Sequence, residues 1–211
     1  MGREKAGEHS PSAEPPGRAD RRRRADAQRN IDTLLQAAKT VFATSGVGAP
    51  VREIAEKAGV GVGTVYRHFP QRADLIAAVF RREIDACADA APVLAAEHEP
   101  GEALARWMQR YAVFVAAKRG LATALHSGDP AYDALPAYFE KRLRPALRNL
   151  FEAAAAAGEI RADVEPDELL STVSSLCMQA HDARPAHAQR MVALLVDGLR
   201  YGAKPAAKDA D

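Results

Sequence analysis

The chain is expected to be all-α. Three observations lead there. Apolar residues recur at spacings of three and four through most of the sequence, aromatic residues make up only 6% of the 211, and no segment alternates as a half-buried strand does. Alanine is abundant and β-branched residues are comparatively few, which again favours helix. About nine helices are expected, in two units. A basic, disordered arm covers residues 1–27, a small three-helix unit 28–86, a larger helical unit 87–203 and a polar tail 204–211.

The arm is assigned on composition. Residues 1–29 carry almost no apolar periodicity, and they hold Pro11, Pro15, Pro16, Gly17 and the run Arg21 to Arg24. From Ile31 the pattern changes. Ile31, Leu34, Leu35, Ala38 and Phe42 fall on one helical face, and Gly46 ends the helix. Gly46 to Pro50 reads as a loop. Val51, Ile54, Ala55 and Ala58 form a second short face, broken at Gly59-Val60. A third short helix fits between Gly61 and Phe69, because Pro70 forbids continuation.

A longer helix is expected over 71–91, with Leu75, Ile76, Val79, Phe80 and Ile84 apolar, followed by a linker over 92–100. The next helix, 101–118, carries Leu104, Met108, Tyr111 and Val115 on one side. Gly128-Asp129-Pro130 is a turn. A helical stretch over 131–157 contains Pro136 and Pro145, which predict at least one kink, and Gly158 sits where a helix ends. Pro166 opens a helix with Asp167 and Glu168 at its positive end. Its apolar face is Leu169, Leu170, Val173, Leu176, Cys177 and Ala180. Pro185 opens the last helix, with Met191, Leu194, Leu195 and Leu199 as its stripe and Gly202 as its end.

Composition narrows the function classes. Apolar residues at 47% and charged residues at 27% are enough for a core. The two cysteines, Cys87 and Cys177, build neither a disulfide framework nor a cysteine zinc site, which suits a reducing cytoplasm. No charge-free apolar run is long enough for a membrane span, and Glu4, Glu8 and Glu14 argue against a signal peptide. The net charge of +1 conceals an asymmetry. Residues 1–83 hold 15 Lys/Arg against 10 Asp/Glu, and the remainder 14 against 18. A basic first half meeting an anion is the natural reading.

Three short helices in about 40 residues, the second and third joined by a glycine turn, read as a helix-turn-helix. One helix presents a face to a major groove while another braces it. Bracing falls to Ile54, Ala55, Ala58, Val60, Val65 and Phe69. Val62, Gly63, Thr64, Arg67 and His68 remain outward, with Tyr66 at the flank.

The run Val51-Arg52-Glu53-Ile54-Ala55, then Ala58-Gly59-Val60-Gly61-Val62-Gly63-Thr64-Val65-Tyr66-Arg67-His68-Phe69-Pro70, with Leu75 beyond, resembles the DNA-binding domain of TetR-type transcriptional regulators. The likeness covers residues 28–86, and beyond them only the architecture is similar. It implies a ligand-responsive regulator, most naturally a repressor, that binds a palindromic double-stranded operator as a homodimer. It further implies that Arg52 reaches a base edge or phosphate, that Thr64 and Tyr66 bond phosphates, and that His68 lies at the DNA surface. Arg72 stands where the family usually has a phosphate-contacting lysine. Gly61 and Val62 depart from the serine and lysine common there. Val62 can pack on a thymine methyl but cannot hydrogen-bond a base, so more phosphate and shape readout is expected.

In the second unit the resemblance implies an effector pocket, for which Trp107, Met108, Tyr111, Phe114, Tyr138, Cys177 and His181 are candidates. It also implies a four-helix dimer interface, for which Leu169, Val173, Leu176, Met191, Leu194, Leu195 and Leu199 supply the apolar stripes. No cofactor or metal is expected. Gly59-x-Gly61-x-Gly63 lacks a preceding strand and the spacing of a nucleotide loop. His126, His181 and His187 are too scattered for zinc. No nucleophile, base and orienter come together for an enzyme.

Overall fold

The computed structural model describes residues 16–118, 122–125, 127–179 and 185–201. Within them lie nine α-helices, one 3-10 turn and no strand. The helices are α1 (Pro16–Ser45), α2 (Val51–Ala58), α3 (Val62–His68), α4 (Arg72–Glu97), α5 (Pro100–Lys118), α6 (Ala122–Leu125), α7 (Leu135–Ala156), α8 (Pro166–Gln179) and α9 (Pro185–Arg200); the 3-10 turn is Pro130–Tyr132. The all-α expectation holds.

Three local expectations are corrected. Residues 16–27, expected to be part of a disordered arm, are the first 12 of the 30 residues of α1. Apolar periodicity is not needed there. Leu34, Leu35, Ala38, Val41 and Phe42 are buried and fix the helix, and propagation from a formed nucleus adds one hydrogen bond per residue. Local pairs support the exposed turns: Arg29 with Asp26, and the Gln28 amide donating to Asp32 at 3.4 Å. Residues 1–15 and the tail lie outside the described residues.

The linker expected over 92–100 is likewise helix as far as Glu97, with Pro92 inside α4. An interior proline costs about 3 kcal/mol. Burial of Ala88 and Ala91 before it, and of Leu94 in part after it, outweighs that cost, while Pro92 itself faces outward. The division at residue 86 therefore falls within one continuous helix. Pro136, finally, does not interrupt a long helix but occupies the first turn of α7, where no intrahelical N–H is required; Pro145 lies inside α7.

Helix α4 organises the rest. Its first half packs on α1, and its length packs on α5 and α7. The second unit closes with α8 and α9 against α5. Its centre is a run of aromatic rings. Trp107 and Tyr111 stack at 5.6 Å and 6°, Tyr111 and Phe114 at 6.1 Å, and Phe114 meets Phe80 at 5.6 Å and Phe139 at 6.2 Å. Polar ends are satisfied. The Trp107 indole N–H donates to the Cys87 carbonyl at 2.9 Å, and the Tyr111 hydroxyl bonds Ser174 at 2.7 Å. Burial raises the Tyr111 phenol above its ordinary value and pushes the Cys87 thiol up to about 12.

A polar clasp joins α4 to α7 at the surface. Arg142 donates to Asp85 at 2.8 Å and to Asp89 at 2.6 Å, and the Tyr138 hydroxyl donates to Asp85 at 2.7 Å. These groups are all partly solvent-exposed, so each pair contributes about 0–1 kcal/mol. The aromatic packing dominates. Trp107→Ala is expected to lower unfolding free energy by about 3–5 kcal/mol and Arg142→Ala by about 1 kcal/mol or less, compared by urea titration with circular dichroism.

Candidate nucleic-acid interface

The interface is built on a very small amount of chain. Helix α2 ends at Gly59, whose φ of 68° is left-handed and suits a residue without Cβ. The Gly59 amide donates to the Glu56 carbonyl at 3.1 Å and the Val60 amide to Ala55 at 3.0 Å, which closes the last turn. Gly61 then begins α3 with no side-chain cap, and the Thr64 amide donates to the Gly61 carbonyl at 2.9 Å. Phe69, extended before Pro70, ends α3 with its amide on the Val65 carbonyl at 2.8 Å.

Of α3, only Val65 is fully buried, at 1% exposure. Ile54 and Ala55 of α2 are buried with it, and Ala58, Val60 and Phe69 pack on the same cluster. The bracing set expected from sequence is therefore brought together as expected. What remains outward is one continuous face. Val62 is 37% exposed and Tyr66 52%; Gly61, Gly63, Arg67 and His68 are exposed, and Thr64 is half-buried. A Cβ added at Gly61 or Gly63 would meet nothing within 4 Å. The chain's own packing does not demand glycine there.

Arg52 is exposed in the first turn of α2 and bonds Glu56 at 3.0 Å, a surface pair worth about 0.3–0.5 kcal/mol and easily given up. Its neighbour Glu53 accepts from the Ser45 hydroxyl at 2.8 Å and ties α2 to the end of α1. Arg72 is engaged within the chain. Its Nε donates to the Val47 carbonyl at 2.6 Å and its Nη2 to the Ala49 carbonyl, so two of its donors are held by the loop between α1 and α2. Gln71 and Asp74 form a reciprocal capping box around it. With glutamine at the cap and aspartate three residues on, the box departs from the usual Ser/Thr and Glu/Gln pattern, so neither it nor the arginine's loop contacts was read from the sequence.

The pocket candidates separate. Trp107, Met108, Tyr111, Phe114 and Cys177 are buried in the packed centre, whereas Tyr138 lies in the surface clasp; His181 and His126 lie outside the described residues. A cavity of about 250 Å3 adjoins the aromatic run, lined by Phe80, Leu125, Tyr132, Leu135, Pro136, Phe139 and Glu140. Sequence reading missed it because its walls come from α4, α6, α7 and the 3-10 turn. The dimer candidates also divide. Leu169, Val173 and Leu199 are buried within the chain, while Leu176, Met191 and Leu195 are partly bare and Leu194 is 64% exposed. Among the described residues no group of acidic, histidine or cysteine side chains could hold a metal. No described helix is long and apolar enough to cross a membrane.

Residues 34–79 match the family described as bacterial regulatory proteins, tetR family, and residues 99–201 match the transcriptional regulator SbtR-like C-terminal domain. A TetR transcriptional regulator from Streptomyces coelicolor is 38% identical, with 81% of this chain and 98% of that one covered and a TM-score of 0.71. The chain belongs to the TetR family. A TetR regulatory protein from Mycobacterium vanbaalenii is similar at 38% identity, with 84% and 98% covered and a TM-score of 0.68. An HTH-type transcriptional regulator of Staphylococcus aureus is 36% identical over 63 residues, 29% of this chain and about a third of that relative's length. The FadR regulator of Bacillus subtilis, solved in complex with stearoyl-CoA, shares the fold at 20% identity, 79% and 97% coverage and a TM-score of 0.56. TetR-family proteins are DNA-binding transcription factors rather than enzymes, and the helix-turn-helix of this one is α2 and α3.

Because Gly63 sits in a helix with open space at its Cβ, Gly63→Ala is expected to stabilise the domain by about 0.5–1 kcal/mol. Urea unfolding of the purified variant checks it.

Proposed function

We propose that this TetR-family regulator is a homodimeric repressor that reads a palindromic operator with α2 and α3 and releases it when a small molecule enters the second unit. The observation that carries the dimer is the outer face of α8 and α9. A groove of about 490 Å3 there is lined by Leu176, Met191, Leu194, Leu195 and Gly198, among others. The same two helices already bury Val173, Val192 and Val196 inward, so these apolar side chains are a surplus over what the chain's own core uses. A second copy related by a two-fold axis would cover them and form a four-helix contact. Two reading heads about 34–36 Å apart would then enter successive major grooves.

On each head, Arg52 is assigned to a base edge or phosphate, Val62 to a thymine methyl, and Thr64, Tyr66 and His68 to the backbone. Gly63 leaves room for close approach. The exposed Arg21 on α1 belongs to a basic segment that adds sequence-independent attraction. The effector enters beside the aromatic run. At about 250 Å3 the cavity lies below the usual 300–1,000 Å3 of a ligand site, so binding requires the rings of Phe80, Phe114 and Phe139 to part. Such a ligand stabilises the parted state and shifts the heads away from operator spacing. FadR's complex with stearoyl-CoA shows this fold holding a ligand in that protein. The protein works in the cytoplasm, where its two buried thiols stay reduced.

Leu194→Glu tests the dimer without touching the core. It is expected to leave helical content unchanged, convert the protein to monomer in sedimentation at micromolar concentration, and weaken operator binding steeply. A wild-type protein that sediments as a monomer overturns the dimer and the palindrome together. Deleting residues 1–24, which shortens α1 by its first nine residues, is expected to leave the buried core intact and to lower DNA affinity, with a deficit that shrinks as salt rises. Equal binding at low salt overturns the role of the basic segment.

A further inference from the structure

We propose that Arg72 is a positioning residue. Its guanidinium sets the loop between α1 and α2, and so the pitch of the reading head against α4, instead of neutralising a phosphate. The proposal rests on the DNA-binding role of α2 and α3. It starts from a problem of backbone chemistry. The loop over 46–50 turns sharply, with Gly46 at φ 76° and the Ala49 amide on the Gly46 carbonyl at 3.1 Å. The Pro50 carbonyl accepts from the Glu53 amide at 3.0 Å, but the Val47 and Ala49 carbonyls belong to no helix, and Ala49 is buried, so a donor is needed there. Arg72 supplies two at once, Nε to Val47 at 2.6 Å and Nη2 to Ala49.

A planar fork suits two carbonyls one residue apart; a lysine ammonium on a flexible stem does not hold them in fixed relation. The first turn that carries Arg72 is itself fixed. Gln71 and Asp74 cap it reciprocally, and the Gln71 amide donates to Asp74 at 3.1 Å. Tyr132 of the 3-10 turn is buried where that turn packs on α4. The loop in turn delivers Pro50 and Val51, the start of α2, and Glu53 is tied back to Ser45. Ten residues along α4, Arg82 makes a matching contact by donating to the Asp32 carbonyl of α1. Helix α4 thus holds backbone at Asp32 within α1 and in the loop just beyond its end. Helix α3, with Val65 its one fully buried side chain, packs on α2 and through the flanking Val60 and Phe69, so its angle follows that of α2.

The test uses the full chain and a duplex chosen by the wild-type protein from a random pool, with a scrambled duplex beside it. Arg72→Lys keeps the charge and loses the fork; Arg72→Gln loses both. Both variants are expected to bind the chosen duplex about tenfold or more weakly, the size of one lost base-edge contact. The slope of log affinity against log salt should stay at the wild-type value, and preference for the chosen over the scrambled duplex should shrink. Hydrogen exchange at residues 47–51 should quicken in both. A wild-type-like Arg72→Lys with an Arg72→Gln slope shallower by about one unit makes Arg72 a phosphate contact and overturns the proposal. Lowered thermal stability with unchanged preference reduces it to a fold contact and overturns it equally. A wild-type protein that selects no duplex refutes the DNA-reading role itself, before any variant is compared.

Discussion

Burial of α4 along its whole length, by two different sets of neighbours, is the constraint on which the other features rest. Leu75, Ile76, Val79, Ile84, Cys87, Ala88 and Ala91 are buried along it; Arg82 and Glu83 reach α1, Phe80 stacks on Phe114 of α5, and Asp85 and Asp89 meet Arg142 of α7. A 26-residue helix spans about 39 Å. Neither end can rotate without exposing apolar surface at the other. The helix absorbs an interior proline because that coupled burial exceeds the proline's cost, and it turns two sequence regions into one mechanical body.

The reading head is stabilised differently. Helices α2 and α3 have eight and seven residues, too short to persist alone. Their shape comes from a left-handed glycine, closed terminal hydrogen bonds and a few small apolar contacts. Most of α3 is thereby left free for a partner, and the orientation of the head depends on what lies behind it. Backbone contacts from α4 and the Ser45–Glu53 bond supply that support. The head is held by few interactions, each specific in direction.

The second unit sits at the opposite extreme. Five aromatic rings in mutual contact, with the Trp107 and Tyr111 polar ends satisfied inside, hold α4, α5 and α7 together. Opening a cavity there requires rings to move, and the walls that would move include Phe80 of α4. Phe80 of the cavity wall and Arg72 of the loop contacts thus lie on one helix. Charged pairs at the surface set registration more than stability, since each remains open to water.

Local chemistry made much of this legible in the sequence. Apolar spacing located α2, α5, α8 and α9 closely, because each buries one stripe, and Gly61 and Pro70 bounded α3. Pro166 and Pro185 marked two helix starts, and the turn at Gly59 followed from its missing Cβ. The outward residues of α3 were legible for the same reason. Tertiary structure decided the rest. Helix continues through Pro92 and backward to Pro16 because distant packing or an existing nucleus outweighs local preference. Which leucines of α8 and α9 face inward depended on where α5 lies, so one stripe became both core and bare surface. Arg72 looked like a free cation because a sequence shows charge but not the carbonyls, 23 and 25 residues earlier, that hold it. Periodicity is a property of one segment, whereas a hydrogen-bond partner is a property of two.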